Sequence, residues 1–254
     1  MLLPRIIPCL LLNDGSIVKS TRFNKFNYVG DPTNIIRIFN RLQVDELIIL
    51  DILSSKVRSD ISYDLIKNIA GECFMPFTYG GGINSVDKAS KIFDCGVEKI
   101  CINSTGLENH NLITELATKY GSQSIVVSID VKKNIFGKKC LYNHVSKKFL
   151  KYSPLEWAKL AEELGAGEIL LTNVDNEGMW NGLDLDLIKS FSSNLEIPVI
   201  AHGGASSLKN IFDGINECKA SAVAVGSLFV YQKKHMGVLV NYPSEMEINK
   251  FILG

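Results

Sequence analysis

The chain has no excess of charge: 27 basic residues balance 27 acidic ones among 254, for a formal net charge of zero. No overall field therefore draws it to nucleic acid or to an anionic membrane surface. It has no apolar run approaching the ~20 residues that a spanning helix needs. Near the amino end the chain reaches a charged strand by Arg5 and shows no signal-type h-region or small-residue cleavage site, so no signal peptide is expected. The six cysteines (Cys9, Cys73, Cys95, Cys101, Cys140 and Cys218) include no CxxC pair, and several lie inside apolar runs, where buried thiols are common. That pattern fits a reduced, cytoplasmic protein. Histidine is scarce as well. His110, His144 and His235 do not group with Cys, Asp or Glu at ligand spacing, and His202 reads as a polar lining residue. Neither a metal site nor a cofactor is expected.

What is present is a rhythm. Strand-like runs occupy 5–12, 46–52, 76–79, 98–103, 124–130, 167–173, 197–201 and 221–226. Amphipathic helical patterns lie between them: Pro32 to Leu42, Ser59 to Ala70, Ser85 to Phe93, Glu108 to Lys119, Pro154 to Leu164, Leu183 to Phe191 and Leu208 to Glu217. Apolar strands alternating with helices imply a parallel sheet covered by helices. With 46% apolar residues available for a core, this many units favours one (β/α)8 TIM barrel domain over residues 1–254.

The pattern also repeats. Tyr79-Gly80-Gly81-Gly82 returns as His202-Gly203-Gly204-Ala205, and Glu46-Leu47-Ile48-Ile49-Leu50 returns as Glu168-Ile169-Leu170-Leu171-Thr172, both roughly 122 residues on. Two half-barrels of one ancestry account for a shared offset. Aligning the first run, Arg5 to Gly15, with its counterpart, Ser124 to Lys132, sets Leu11 against Asp130. Two segments break the rhythm, 13–31 and 131–153. Both are read as long basic loops following strand ends, with a turn at Asn134-Ile135-Phe136-Gly137 in the second. Barrels carry their sites on that face, so both are candidate lids.

Glycine-rich turns close strands in each half: Gly80-Gly81-Gly82, Glu177-Gly178, Gly203-Gly204 and Gly226-Ser227. Glycine lets backbone N–H groups approach an anion, and a following helix adds a favourable dipole. A cluster in each half predicts two phosphate sites and an elongated, bisphosphorylated small molecule across the mouth.

The chain to about residue 235 resembles the cyclase subunit of imidazole glycerol phosphate synthase, the HisF family. The resemblance rests on Arg5-Ile6-Ile7-Pro8-Cys9-Leu10, Asp14-Gly15, Val18-Lys19, Gly30-Asp31-Pro32, Asp45-Glu46-Leu47, Leu50-Asp51-Ile52 and Gly80-Gly81-Gly82-Ile83. Ile102-Asn103, Gly121-Ser122-Gln123 and Ala166 to Thr172 complete it. It implies half of a glutamine amidotransferase, in which ammonia from a HisH-like glutaminase enters at the barrel floor and reacts at the mouth. It carries a salt-bridge gate onto Arg5, Glu46, Lys99 and Glu168, where two cations and two anions offset one another's burial. Catalytic roles fall on Asp130 and Lys19, and phosphate binding on Gly82, Asn103, Ser104, Gly178, Gly203, Gly204, Gly226 and Ser227.

The sequence departs from the family in one place that bears directly on catalysis. The family uses two aspartates as general acid and base, at the ends of strands 1 and 5. Asp130 matches the second; Leu11 stands at the first and cannot transfer a proton. Asn13 is not a usable acid, and Asp14 is expected to lie in the loop. The family's Asp-Arg-Asp-Gly-Thr reads Asp175-Asn176-Glu177-Gly178-Met179, followed by Trp180, and its Ser-Gly-Gly reads His202-Gly203-Gly204. A retained gate under an incomplete mouth suggests a reused conduit, as in family members that supply ammonia to a sugar amidotransferase of surface-polysaccharide (O-antigen type) pathways. A working cyclase, with Glu177, Asp14 or a lid residue in the aspartate's role, is the alternative. A regulatory or scaffolding barrel without ammonia flux is the third.

Overall fold

A computed structural model describes residues 5–57 and 61–252. Its strands are, in order, β1 (Arg5–Asn13), β2 (Ser16–Thr21), β3 (Lys25–Gly30), β4 (Leu47–Asp51), β5 (Phe77–Gly80) and β6 (Lys99–Ile102). They continue as β7 (Ile125–Lys133), β8 (Lys139–Asn143), β9 (Lys148–Phe149), β10 (Glu168–Asn173), β11 (Val199–His202) and β12 (Ala222–Val225). β1 pairs in parallel with β12 on one side and β4 on the other, and pairing runs on through β5, β6, β7, β10 and β11 back to β12. The sheet is therefore a closed parallel barrel without edges, the (β/α)8 fold that the rhythm predicted.

The helices are α1 (Pro32–Arg41), α2 (Ile52–Val57), α3 (Tyr63–Glu72), α4 (Val86–Asp94), α5 (Ser104–Glu108) and α6 (Asn111–Tyr120). After them come α7 (Pro154–Glu163), α8 (Leu185–Ser192), α9 (Leu208–Asn216), α10 (Ser227–Val230) and α11 (Glu245–Ile252). Local chemistry starts several of them. Asp31 accepts from the Asn34 N–H with Pro32 behind it, Ser153 and Glu156 form a reciprocal capping box, and Ser85, Asp184 and Ser207 each cap in the same way. Such a cap contributes about 1 kcal/mol and fixes where the chain turns back over the sheet. The start expected at Ser59 lies outside the described residues. The helix expected over 108–119 is α6, which starts three residues later than expected and is preceded by the separate short helix α5. Among the described residues, no helix is long and apolar enough to cross a membrane.

The continuous apolar character of β1 has a simple cause: both its faces are buried. Ile6, Leu10 and Leu12 point outward into the layer between sheet and helices, while Ile7 and Cys9 point into the barrel. The interior cluster is completed by Ile48, Cys101, Val126, Leu170, Ile200, Ala222 and Ala224.

The two expected loops are corrected by the structure. Residues 13–31 form an antiparallel ribbon, with β2 pairing β1 and then β3, and 131–153 carry a second ribbon in which β7 runs past the rim and pairs β8. The expected turn is there, with the Gly137 N–H donating to the Asn134 carbonyl at 2.9 Å. These segments look like loops in sequence because their polar residues hide the alternation. Lys19 and Ser20 are buried nonetheless.

Candidate functional site

At the barrel floor the strands begin, and Arg5, Glu46, Lys99 and Glu168 meet there. Arg5 Nη1 lies 2.7 Å from Glu46 and 2.9 Å from Glu168. Lys99 Nζ closes the ring from the other side, 3.5 Å from Glu46 and 3.3 Å from Glu168. Each cation bridges both anions, so the four charges satisfy one another where any one alone would be costly. The contacts are unequal. Arg5 is held tightly and Lys99 loosely, so Lys99 is the member that can leave the ring at least cost. Above the ring the lumen is lined by the small apolar cluster described above, with Thr78, Ser128 and Thr172 buried among the strands.

At the opposite end the strands open into a cavity of about 590 Å³ lined from both halves and from both ribbons. Leu11 and Asp130 face each other across it. β1 and β7 stand four strands apart in the ring in either direction, which is diametrically opposite. Register makes the equivalence plain: Leu11 pairs with Leu50 of β4, and Asp130 pairs with Thr172, the residue that corresponds to Leu50 in the second half. An isobutyl group therefore occupies the place that mirrors the carboxylate. Asp51, next in the chain, does not replace it. Its oxygens accept from the Leu53 and Ser54 N–H groups, the Ser54 hydroxyl and the Tyr79 hydroxyl, capping α2. Asp14 is exposed in the β1–β2 turn at φ 49°, as its sequence context suggested.

Asp130 is nearly sealed, at 3% exposure, and two donors reach its Oδ2: Asn103 Nδ2 at 2.8 Å and His144 Nδ1 at 2.9 Å. The side-chain NH2 of Asn103, a residue expected to hold phosphate, donates to Asp130 and to the Ser128 hydroxyl. His144 was expected to stand apart from the acidic residues; the β7–β8 ribbon instead folds it back onto Asp130. It is the site residue that sequence reasoning missed. A usable signal existed: with the turn at Asn134–Gly137 fixing Val131 opposite Leu141, continuing the pairing brings residues 142–144 alongside Ser128–Asp130.

The second-half side of the mouth is organised by a buried ion pair. Lys19 of β2 contacts Glu177, and the Ser20 hydroxyl donates to the other Glu177 oxygen at 2.8 Å. Burial pushes the Glu177 carboxyl up, but Lys19, His202 and Ser20 together outweigh it, and the group is held below its ordinary range. It is thus a carboxylate and a poor proton donor. Gly226 explains itself here, because a Cβ would stand 2.6 Å from Lys19 Cε; the glycine makes room for the lysine stem. Gly178, Gly203, Gly204, Gly226 and Ser227 do gather with Lys19 and Trp180, but around a cavity of only about 20 Å³. Gly82, Asn103 and Ser104 line the large one. Both halves share one backbone device. A Cβ on Gly81 would come within 2.3 Å of the Asp51 carbonyl, and one on Gly203 within 2.5 Å of the Asn173 carbonyl.

His202 lies between the two cavities, with Nδ1 3.0 Å from the Thr172 hydroxyl. Burial, reinforced by Lys19, lowers its pKa from 6.5 to about 4 despite Glu177 and Asp130 nearby. It is neutral at physiological pH, consistent with a lining residue. The unfolded chain, with the ordinary pKa, takes up this proton first as pH falls. Stability is therefore lost between pH 6.5 and pH 4, by about 3 kcal/mol in all. Urea unfolding at pH 7 and pH 4.5 is expected to show this loss in the native chain and not in His202→Gln.

A family profile described as "Histidine biosynthesis protein" matches residues 5–235, which takes in the ring, both ribbons and every side chain named above in the mouth. A Pseudomonas aeruginosa protein provisionally named imidazole glycerol phosphate synthase subunit hisF2 is 48% identical over 250 residues, covering 98% of each chain. A Leptospira interrogans protein provisionally named subunit HisF is 44% identical over 245 residues, covering 96% of each. The Chlorobium phaeovibrioides imidazole glycerol phosphate synthase subunit HisF is 40% identical over 233 residues, covering 92% of each. On that span and those identities, joined to a closed barrel with its ionic floor, the chain belongs to the histidine biosynthesis protein family and, within it, to the HisF family.

Proposed function

We propose that the chain is the synthase-side subunit of a glutamine amidotransferase whose barrel conducts ammonia. A HisH-like glutaminase docks on the floor, ammonia passes the ring of Arg5, Glu46, Lys99 and Glu168, crosses the apolar lumen and emerges at the mouth. There it serves the amidation of a surface-polysaccharide sugar, completed with a sugar amidotransferase. Cyclisation to imidazole glycerol phosphate is reduced to a weak residual activity. The observation that carries this reading is Leu11 in the mirror position of Asp130, above a complete ionic ring. A positioned acid or base contributes about 10²–10⁴-fold, so a mouth with one of two runs the two-sided ring closure poorly. The six free thiols fit a reducing cytoplasm.

The test couples the chain to a glutaminase of the HisH type, with amide-labelled glutamine and the bisphosphorylated nucleotide substrate. Labelled ammonia is expected to reach the mouth while imidazole glycerol phosphate forms at least 100-fold more slowly than in the histidine pathway. Lys99→Ala is expected to keep the passage open but leak label to solvent. Glu46→Ala leaves Arg5 and Lys99 facing one carboxylate and is expected to cut transfer about tenfold. Transfer indifferent to both changes removes the conduit, and full cyclase rates remove the reassigned acceptor.

A genuine cyclase is the second reading. The cavity of about 590 Å³ favours it, because a mouth holding Asp130 still has room for an elongated nucleotide.

A further inference from the structure

His144 belongs to no expected role, yet it is held from three directions. Its Nδ1 meets Asp130 at 2.9 Å. The turn that carries it is fastened by buried Asn143, whose Oδ1 accepts from the Val145 N–H at 3.0 Å, the Ser146 N–H at 2.9 Å and the Ser104 hydroxyl at 3.5 Å. From the other ribbon, Phe23 packs edge-on against the imidazole at 5.9 Å. A carboxylate only accepts, so the hydrogen of this pair sits on Nδ1 and the lone pair on Nε2. Among the described residues, Nε2 makes no hydrogen bond. Both side chains line the cavity, but exposure divides the labour: that of Asp130 is 3% exposed and that of His144 18%, so the imidazole is the more accessible member. A base oriented by a buried carboxylate that fixes its tautomer is a recurrent arrangement for moving protons.

We propose that His144, oriented by Asp130, is the proton-transfer group of the mouth and acts when ammonia adds to an electrophilic carbonyl carbon. The inference rests on delivery of ammonia to the mouth. The nitrogen lone pair forms the C–N bond and the carbonyl π pair moves onto oxygen. The nitrogen, now cationic, loses a proton to Nε2. The imidazolium, stabilised by Asp130, gives that proton to the alkoxide, and a neutral carbinolamine results. One group on one wall suffices for this addition. Ring closure, which asks for a second group on the Leu11 wall, is served only weakly. Asp130 is then a positioning residue, and Asn103 donates to the same Oδ2 that meets the imidazole.

The test uses the full chain with ammonium chloride in place of a glutaminase and the bisphosphorylated nucleotide as probe. His144→Gln is expected to lower residual turnover about 100-fold with KM unchanged. Added imidazole is expected to restore His144→Gly, which a merely structural histidine would not allow. Asp130→Asn is expected to lower kcat and, by long-range ¹⁵N NMR, to shift the His144 hydrogen from Nδ1 to Nε2. Turnover unmoved by His144→Gln, or a His144→Gly variant that imidazole leaves inactive, overturns the assignment. So does a native chain inert with free ammonium. Free ammonium bypasses the floor, so a failed conduit appears separately, as lost glutaminase coupling with ammonium-driven chemistry intact.

Discussion

Leu11→Asp is expected to raise ammonia-dependent formation of imidazole glycerol phosphate by about 100-fold over the native chain. The position is already prepared for a side chain that faces the mouth: Leu11 lines the large cavity and pairs with Leu50 as Asp130 pairs with Thr172. Leu11 is only 5% exposed but borders a cavity of about 590 Å³, so a carboxylate there would face open space rather than packed core. Replacing a packed isobutyl group still costs on the order of 2 kcal/mol, which a thermal unfolding curve measures independently. Steady-state kinetics with ammonium chloride and the nucleotide decide the matter. A large gain says that the remaining mouth is intact and that the chain is one residue away from a cyclase. No gain says that the second-half side, with Trp180 and its cavity of about 20 Å³, has diverged as well.

The largest effect on stability is expected from Glu177→Ala. The pair it breaks is almost dry, with side-chain exposures of 5% for Lys19 and 1% for Glu177, and removing the acid strands the lysine against Gly226 without a counter-ion. Losing one partner of a buried pair costs about 3–5 kcal/mol, whereas replacing both by apolar groups is close to neutral. In a domain of this size the single change is expected to lower Tm by on the order of 10 °C. The double change Lys19→Met with Glu177→Leu is expected to recover most of that loss while abolishing any chemistry that needs Lys19. If calorimetry finds the single and double variants equally unstable, the pair is not what holds the β2–β3 ribbon over the mouth.

The barrel was legible because its signals are local and doubled. β1 and β7 announce themselves as apolar runs, and Gly81 and Gly203 recur at one offset because equivalent carbonyls, of Asp51 and Asn173, crowd them. The four members of the ionic ring were legible through the family resemblance, whose gate falls on these strand starts, and the structure brings them into contact. The ribbons were not. Lys19 and Ser20 look like solvated loop residues, and the Glu177 that buries them lies 158 and 157 positions away in the chain. His144 escaped for a different reason. Its partner is only 14 residues distant, but the contact exists only after the β7–β8 turn has formed and Asn143 has tied the next turn down. The first step has a signal in the Asn134–Gly137 turn, but the second follows only from the folded ribbon. The phosphate-type glycines were read by chemistry alone, whereas Gly226 is also required by the stem of a neighbouring lysine.

The pairing of Leu11 with Leu50 on one wall, opposite Asp130 and Thr172 on the other, gives the entrance a grain. A visitor with one greasy edge and one hydroxylated edge settles in a single orientation, because turning it over would press its alcohols against leucine and its hydrocarbon against a carboxylate. On the conduit reading proposed above, a guest held by that grain is expected to offer one side to each nitrogen that arrives.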